Sequence, residues 1–174
     1  MTRGRMARQA GVGPRRLRRR GGAARPAAPL AVLALPQPFE DLGHTADLGV
    51  RVRGPSAAEA LARLALALGA LLAGGGPVEA VEEERIAVAG ESGLAGVAVA
   101  LLRELLFRFA TRRSIPAAVE VLRLGEDGAE AIFRSGRYDP GRHGEGADVK
   151  AVTWHRARLE ESGGEWIGEI VFDV

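Results

Sequence analysis

Leu48, Val50 and Val52 alternate with Gly49, Arg51 and Arg53, the period-two pattern of a half-buried strand. Gly54-Pro55 breaks it. Ser56 with Glu59 three residues on predicts a capping box, in which each side chain satisfies an orphan backbone N–H of a new helix. Leu61, Leu64, Leu68, Leu71 and Leu72 follow at helical spacing, so one face of the helix Ser56 to Ala73 is core, and Gly74-Gly75-Gly76-Pro77 ends it. Arg85 to Ala89 predicts a strand and Glu91-Ser92-Gly93 a turn. Leu94 to Phe109 predicts a second helix, with charge confined to Arg103, Glu104 and Arg108. Apolar residues nearly encircle it, so burial is expected. Beyond Pro116 the period returns to two. Val119 to Leu124, Ala129 to Tyr138, Val149 to Leu159 and Trp166 to Phe172 predict four strands. Glu126-Asp127-Gly128 and Ser162-Gly163-Gly164 between them predict hairpin turns. Two helices early and strands late predict an α+β fold, two layers with two helices packed on a largely antiparallel β-sheet. No internal repeat is evident.

A chain of 174 residues with 47% hydrophobic residues supports one core. Aromatics are only 5%, so Leu, Val and Ala must build it. The absence of cysteine excludes disulfides and thiolate metal sites and is compatible with a reducing cytoplasm, the location expected. The net charge of +2 conceals an asymmetry. Nine of the 24 basic residues and none of the 22 acidic ones lie in the first 39 positions, which leaves 15 basic against 22 acidic residues, a net of −7, in the rest. Residues 1–38 thus read as a basic Arg/Ala/Pro-rich extension too poor in apolar surface to order itself, and 39–174 as the domain. Three readings of the run Arg15-Arg16-Leu17-Arg18-Arg19-Arg20 stay open. It could contact RNA phosphates; it could be the charged part of a secretory signal ahead of the short apolar run Ala27 to Leu35; or the protein could begin downstream of it. The longest charge-free stretch of the domain, Leu64 to Val78, is too short to span a bilayer, so no membrane association is expected.

Nucleophile motifs come up short. Ser56 is a helix cap, Ser92, Ser114 and Ser162 lie in turns without a neighbouring histidine, and the Gly74-Gly75-Gly76 run lacks the lysine of a phosphate-binding loop. His44, His143 and His155 are far apart and lack the close pairing of zinc motifs. Three features suggest chemistry. The first is the polar cluster His44-Thr45-Ala46-Asp47 just before a strand, which also reads as a plain turn. The second is the terminal Ile170-Val171-Phe172-Asp173-Val174, where a strand holds Asp173 and the α-carboxylate side by side. With Asp47 these make hard oxygen ligands of the kind Ca²⁺ or Mg²⁺ prefers. The third is Lys150, the only lysine among 24 basic residues, inside Val149-Lys150-Ala151-Val152. A compact ammonium there is not interchangeable with a guanidinium.

In this order the features resemble the archease family. The resemblance covers about residues 39–174. It rests on His44-Thr45-Ala46-Asp47-Leu48-Gly49, the capped helix from Ser56, Leu105-Leu106-Phe107, and Tyr138-Asp139-Pro140 followed by His143. Val149-Lys150-Ala151-Val152-Thr153-Trp154-His155 and the closing Phe172-Asp173-Val174 complete it. Each motif is weak alone; together and in register they are specific. The resemblance implies a non-enzymatic protein that binds a divalent cation, Ca²⁺, through Asp47, Asp173 and terminal Val174. It also implies a partner: the GTP-dependent ligase that joins 2′,3′-cyclic phosphate or 3′-phosphate RNA ends to 5′-hydroxyl ends in tRNA splicing or RNA repair. RNA is then met only through the ligase, and Lys150, Asp47 and Asp173 promote its guanylylation and multiple turnover. Family members often carry an acid where this chain has Gly43, so Asp41 is an accessory candidate, as is His44.

Two other functions fit the residues. Asp47, Asp139, Asp148 and Asp173 could form the two-metal site of a phosphoester hydrolase. Alternatively, the chain could be a chaperone-like or RNA-binding module acting through its arginine-rich start.

Overall fold

The computed structural model describes residues 28–43 and 47–174. Its elements in chain order are β1 (Ala31–Ala34), β2 (Glu40–Asp41), β3 (Asp47–Gly54), α1 (Ala57–Leu72), β4 (Glu82–Ala89), α2 (Gly93–Arg112), β5 (Ser114–Gly125), β6 (Gly128–Arg137), β7 (Ala151–Val152), β8 (Arg158–Ser162) and β9 (Glu165–Asp173). The fold is α+β, as the change of period from helical to alternating implied.

The strands form two antiparallel sheets, not one. The first has the order β1-β5-β6-β4. In the second, β3 lies on one side of β9, with β2 beyond it, and β7 and β8 share the other side. Both helices pack against both sheets, α1 against β1, β5, β3 and β9, and α2 against β4, β5, β6, β7 and β8. The cause lies in α1. A helix apolar on one face needs one sheet, but Ala60, Leu61, Ala62, Leu64, Ala65, Leu66, Ala67 and Leu68 are all buried to 1% exposure or less, so α1 is apolar nearly all round. Its only charges, Glu59 and Arg63, share one stripe and pair with each other. The Ser56 hydroxyl accepts the Glu59 N–H at 3.2 Å, as the cap predicts. The Glu59 carboxylate turns to Arg63 instead of closing the box. Gly69 lets α1 approach the Pro116 carbonyl on β5, a place with no room for a Cβ.

Three other expectations need revising. The ordered chain reaches further towards the N-terminus than position 39, because Ala31–Ala34 pair with Val121–Ala118 of β5. Leu33 and Leu35 pack on the core; this short apolar run is an edge strand, while the arginine run lies outside the described residues. The strand expected over Val149 to Leu159 is two strands on β9, because residues 153–157 loop out between them, closed by the Ala157 N–H to Trp154 carbonyl bond at 3.1 Å. Finally, α2 is buried along Val97–Val99, Leu101, Leu102, Leu105 and Leu106 but leaves Phe107 61% exposed.

Candidate functional site at the end of the central strand

Asp47 opens β3 and Asp173 closes β9, and the two stand directly opposite each other. Residues so paired put their side chains on one face with Cβ atoms about 5 Å apart. The alternation places them on the face turned away from the helices, in the same rows as Arg51 and Glu169, while Val50, Val52, Ile170 and Phe172 point into the core. On the other side of β9, Ala151 opposes Asp173, and the Lys150 N–H donates to the Asp173 carbonyl at 2.8 Å. Val174 follows, exposed like the two aspartates and Lys150. Four of the residues singled out from the sequence therefore meet at one tip. They do not all face one way: Lys150 borders a groove with Phe107 and Ala110 of α2, on the helix side of the sheet. No ion pair among the described residues involves Asp47, Asp173 or Lys150.

The accessory candidates do not join this group. Asp41 opposes Val50, three residues inward from Asp47, and its Oδ1 accepts the Gly43 N–H at 2.9 Å in its own turn. His44, with Thr45 and Ala46, lies outside the described residues.

Below the tip sits a charge network that periodicity alone did not single out. Glu169 is 3% exposed in mid-β9. Its Oε1 accepts from Arg51 Nε at 3.0 Å and Nη2 at 2.6 Å, its Oε2 meets Arg158, and Glu40 reaches Arg51 and Arg53 from β2. Burial pushes the Glu169 carboxyl up, but the hydrogen bonds and charges of Arg51 and Arg158 outweigh it and hold the group below the usual carboxylate range. The signal was present in the sequence: Glu169 is the one charge inside the apolar run Trp166 to Phe172.

His143, also buried, accepts the Asp139 N–H at Nδ1 (2.9 Å), so its proton is on Nε2, which faces the Pro77 carbonyl at 3.1 Å. Tyr138 stacks on it. Asp139 in turn accepts the Gly141 N–H. This motif fastens a loop.

Among the described residues no three His, Asp or Glu side chains group together as a metal site requires. The four acids of the hydrolase reading are therefore not assembled. What the tip does offer a cation is two carboxylates opposed in register. That donor set is all oxygen and suits a hard divalent ion. Like charges directly opposed destabilise a strand pair unless something neutralises them, so Asp47 and Asp173 fit a bound cation.

Residues 39–174 match the model of the Archease protein family. The chain is 34% identical over 142 residues to the protein archease of Methanopyrus kandleri, covering 79% of this chain and 99% of that protein. It is 31% identical over 141 residues to that of Pyrococcus furiosus, covering 78% and 98%. The fold is similar to the solution structure of protein 1598 of Methanobacterium thermoautotrophicum, with a TM-score of 0.63 and 26% identity, over 78% of this chain and 98% of that one. It is also similar to the Thermotoga maritima crystal structure titled an archease, possible chaperone, with a TM-score of 0.54 and 22% identity, over 78% and 96%; that likeness shows the fold alone. Strand β1 precedes the residues that the family model matches.

Proposed function

The chain belongs to the archease family, and from that premise we propose that it is a metal-binding protein cofactor that activates a GTP-dependent RNA ligase in tRNA splicing or RNA repair, in the cytoplasm and without an active site of its own. The observation that carries this reading is the register pairing of Asp47 with Asp173 at the exposed end of β9, with Lys150 hydrogen-bonded to the same residue.

Asp47, Asp173 and the α-carboxylate of Val174 would hold a divalent cation, Ca²⁺ by preference for oxygen donors. When bound, the ion neutralises the opposed carboxylates and lends the tip a Lewis-acidic point. The residues themselves do the rest. Two antiparallel strands fix the aspartates before any partner arrives, which reduces the ordering cost of association. The Arg51–Glu169–Arg158 network ties β3, β9 and β8 together behind them. Lys150, which forms no ion pair among the described residues, presents its ammonium beside the tip, able to meet a phosphate or an acid of the ligase cleft. Covalent nucleotide transfer remains with the ligase; the tip orders its groups.

The test is ligase turnover on RNA bearing 3′-phosphate and 5′-hydroxyl ends, with wild-type protein and with folded Asp47→Ala, Asp173→Ala and Lys150→Ala variants. Stimulation by the wild type and its loss in the variants is expected. Undiminished stimulation by all three would rule the tip out as the acting part.

A further inference from the structure

Most of the described arginines end on a carboxylate. Arg51, Arg53, Arg85, Arg108, Arg134, Arg137 and Arg142, for example, all do so. Arg103 and Lys150 do not, and they lie on one surface. Arg103 donates Nε and Nη2 to the Val152 carbonyl at 3.1 and 3.0 Å, which fixes its guanidinium against β7 and under the ring of Trp154, 5.9 Å from the centroid. Trp154 belongs to the loop-out between β7 and β8. It is 46% exposed, although a large aromatic ordinarily buries itself. One helical turn beyond Arg103, Phe107 is more exposed still.

These residues border two adjoining grooves that meet at Arg103. One, of about 410 Å³, runs past Gly96, Ala100 and Trp154; the other, of about 320 Å³, past Phe107, Ala110, Lys150 and Ala151. Gly96, Ala100, Arg103, Phe107 and Ala110 form one helical stripe about 20 Å long, with small residues at both ends of the Arg103–Phe107 pair. Exposed aromatics around desolvatable cations are the composition of an interface centre.

We propose that this α2 stripe is a docking surface for a protein segment of the partner ligase that carries an acidic residue beside apolar anchors. The choice of occupant rests on charge. Arg103 and Lys150 form no ion pair among the described residues, and the groove that both line holds no acid, so its complement is negative. Single-stranded RNA also combines negative charge with stacking groups. It is disfavoured here because binding to a run of phosphates requires several cations, and Arg103 and Lys150 are the two that line these grooves. Lys150 joins this surface to the carboxylate tip, so one partner can be held on the stripe while the tip acts on it. Docking then rests on Phe107 and Trp154 and activation on Asp47 and Asp173, with Lys150 shared by both. In naming the partner, this inference rests on the proposed function.

The test is isothermal titration of the full-length protein with the purified ligase, run beside the turnover assay. Phe107→Ala and Trp154→Ala should each weaken binding by about thirtyfold, and Phe107→Glu by more. Asp173→Asn should keep most of its affinity, which the stripe supplies, and fail to stimulate. Circular dichroism of each variant checks the fold, and Val81→Ala, an exposed apolar residue elsewhere, should change nothing. Unaltered binding by the Phe107 and Trp154 variants would overturn the docking surface while leaving the ligase reading intact. Tight binding of a 20-nucleotide single-stranded RNA that is lost in the same variants would overturn it in favour of nucleic acid. Wild-type protein that neither binds nor stimulates the ligase would remove both readings.

Discussion

Replacing Glu169 by Gln keeps the shape of the side chain and removes the charge that joins three strands. Breaking a fully buried ion pair costs about 3–5 kcal/mol. Here the arginines keep part of their hydration, with side chains 24% and 37% exposed for Arg51 and Arg158 against 4% for Glu169. Solvent screening on that side lowers the expected loss to about 2 kcal/mol, which for a domain of this size lowers Tm by roughly 6–8 °C. The pH dependence identifies the cause. The folded-state pKa of Glu169 lies below its ordinary value of 4.5, so its contribution is complete above that value and is lost as pH falls through the lower, folded-state one. Denaturant unfolding of both proteins from pH 7 to pH 3 should show a constant gap down to about pH 4.5 that narrows below it. A gap under about 0.5 kcal/mol at pH 7, or one equally wide at pH 3, would refute the argument that the ionised carboxylate stabilises the sheet.

Gly69→Ala should destabilise by about 2 kcal/mol in chemical denaturation, because the new methyl meets the Pro116 carbonyl oxygen, at a cost of about 3 kcal/mol, and the gain in helix propensity, about 1 kcal/mol, offsets only part of it. Deleting residues 1–38 removes β1 and uncovers the edge of β5. Losing the half-buried Leu33 and Leu35 with Ala31 should cost about 2–3 kcal/mol, read as a fall in Tm, with ligase stimulation unchanged at 25 °C. Adding Ca²⁺ should raise the Tm of the wild type in a concentration-dependent way. Asp47→Asn should lose that response while starting from an equal or higher Tm without the ion, since the like-charge pair is relieved.

Period and punctuation made most of the fold legible. Leu48 to Arg53, the Ser56 cap and the strands flanking Glu126-Asp127-Gly128 all lie where alternation and turn residues put them. The second sheet was not legible as such, because a strand's period tells which face is apolar and not which sheet it joins. The all-round apolar character of α1 held that information. The loop-out at residues 153–157 was hidden by apolar residues on both sides of it. At the tip, Asp47 and Asp173 are 126 positions apart in sequence, and only the antiparallel register of β3 with β9 brings them together. Oxygen-ligand chemistry and the resemblance, not periodicity, pointed to that meeting. Phe107 read as a core residue in the sequence, since nothing local distinguishes an aromatic that is buried from one left for a partner.

In the proposed function the tip accelerates a step the ligase performs. Its most direct measurement is the single-turnover rate of GMP transfer from GTP to the purified ligase, alone, with wild-type protein, and with Asp173→Asn. A faster transfer with the wild type and the unassisted rate with the variant, which still binds, is expected. Equal acceleration by both proteins, or none by either, would contradict it.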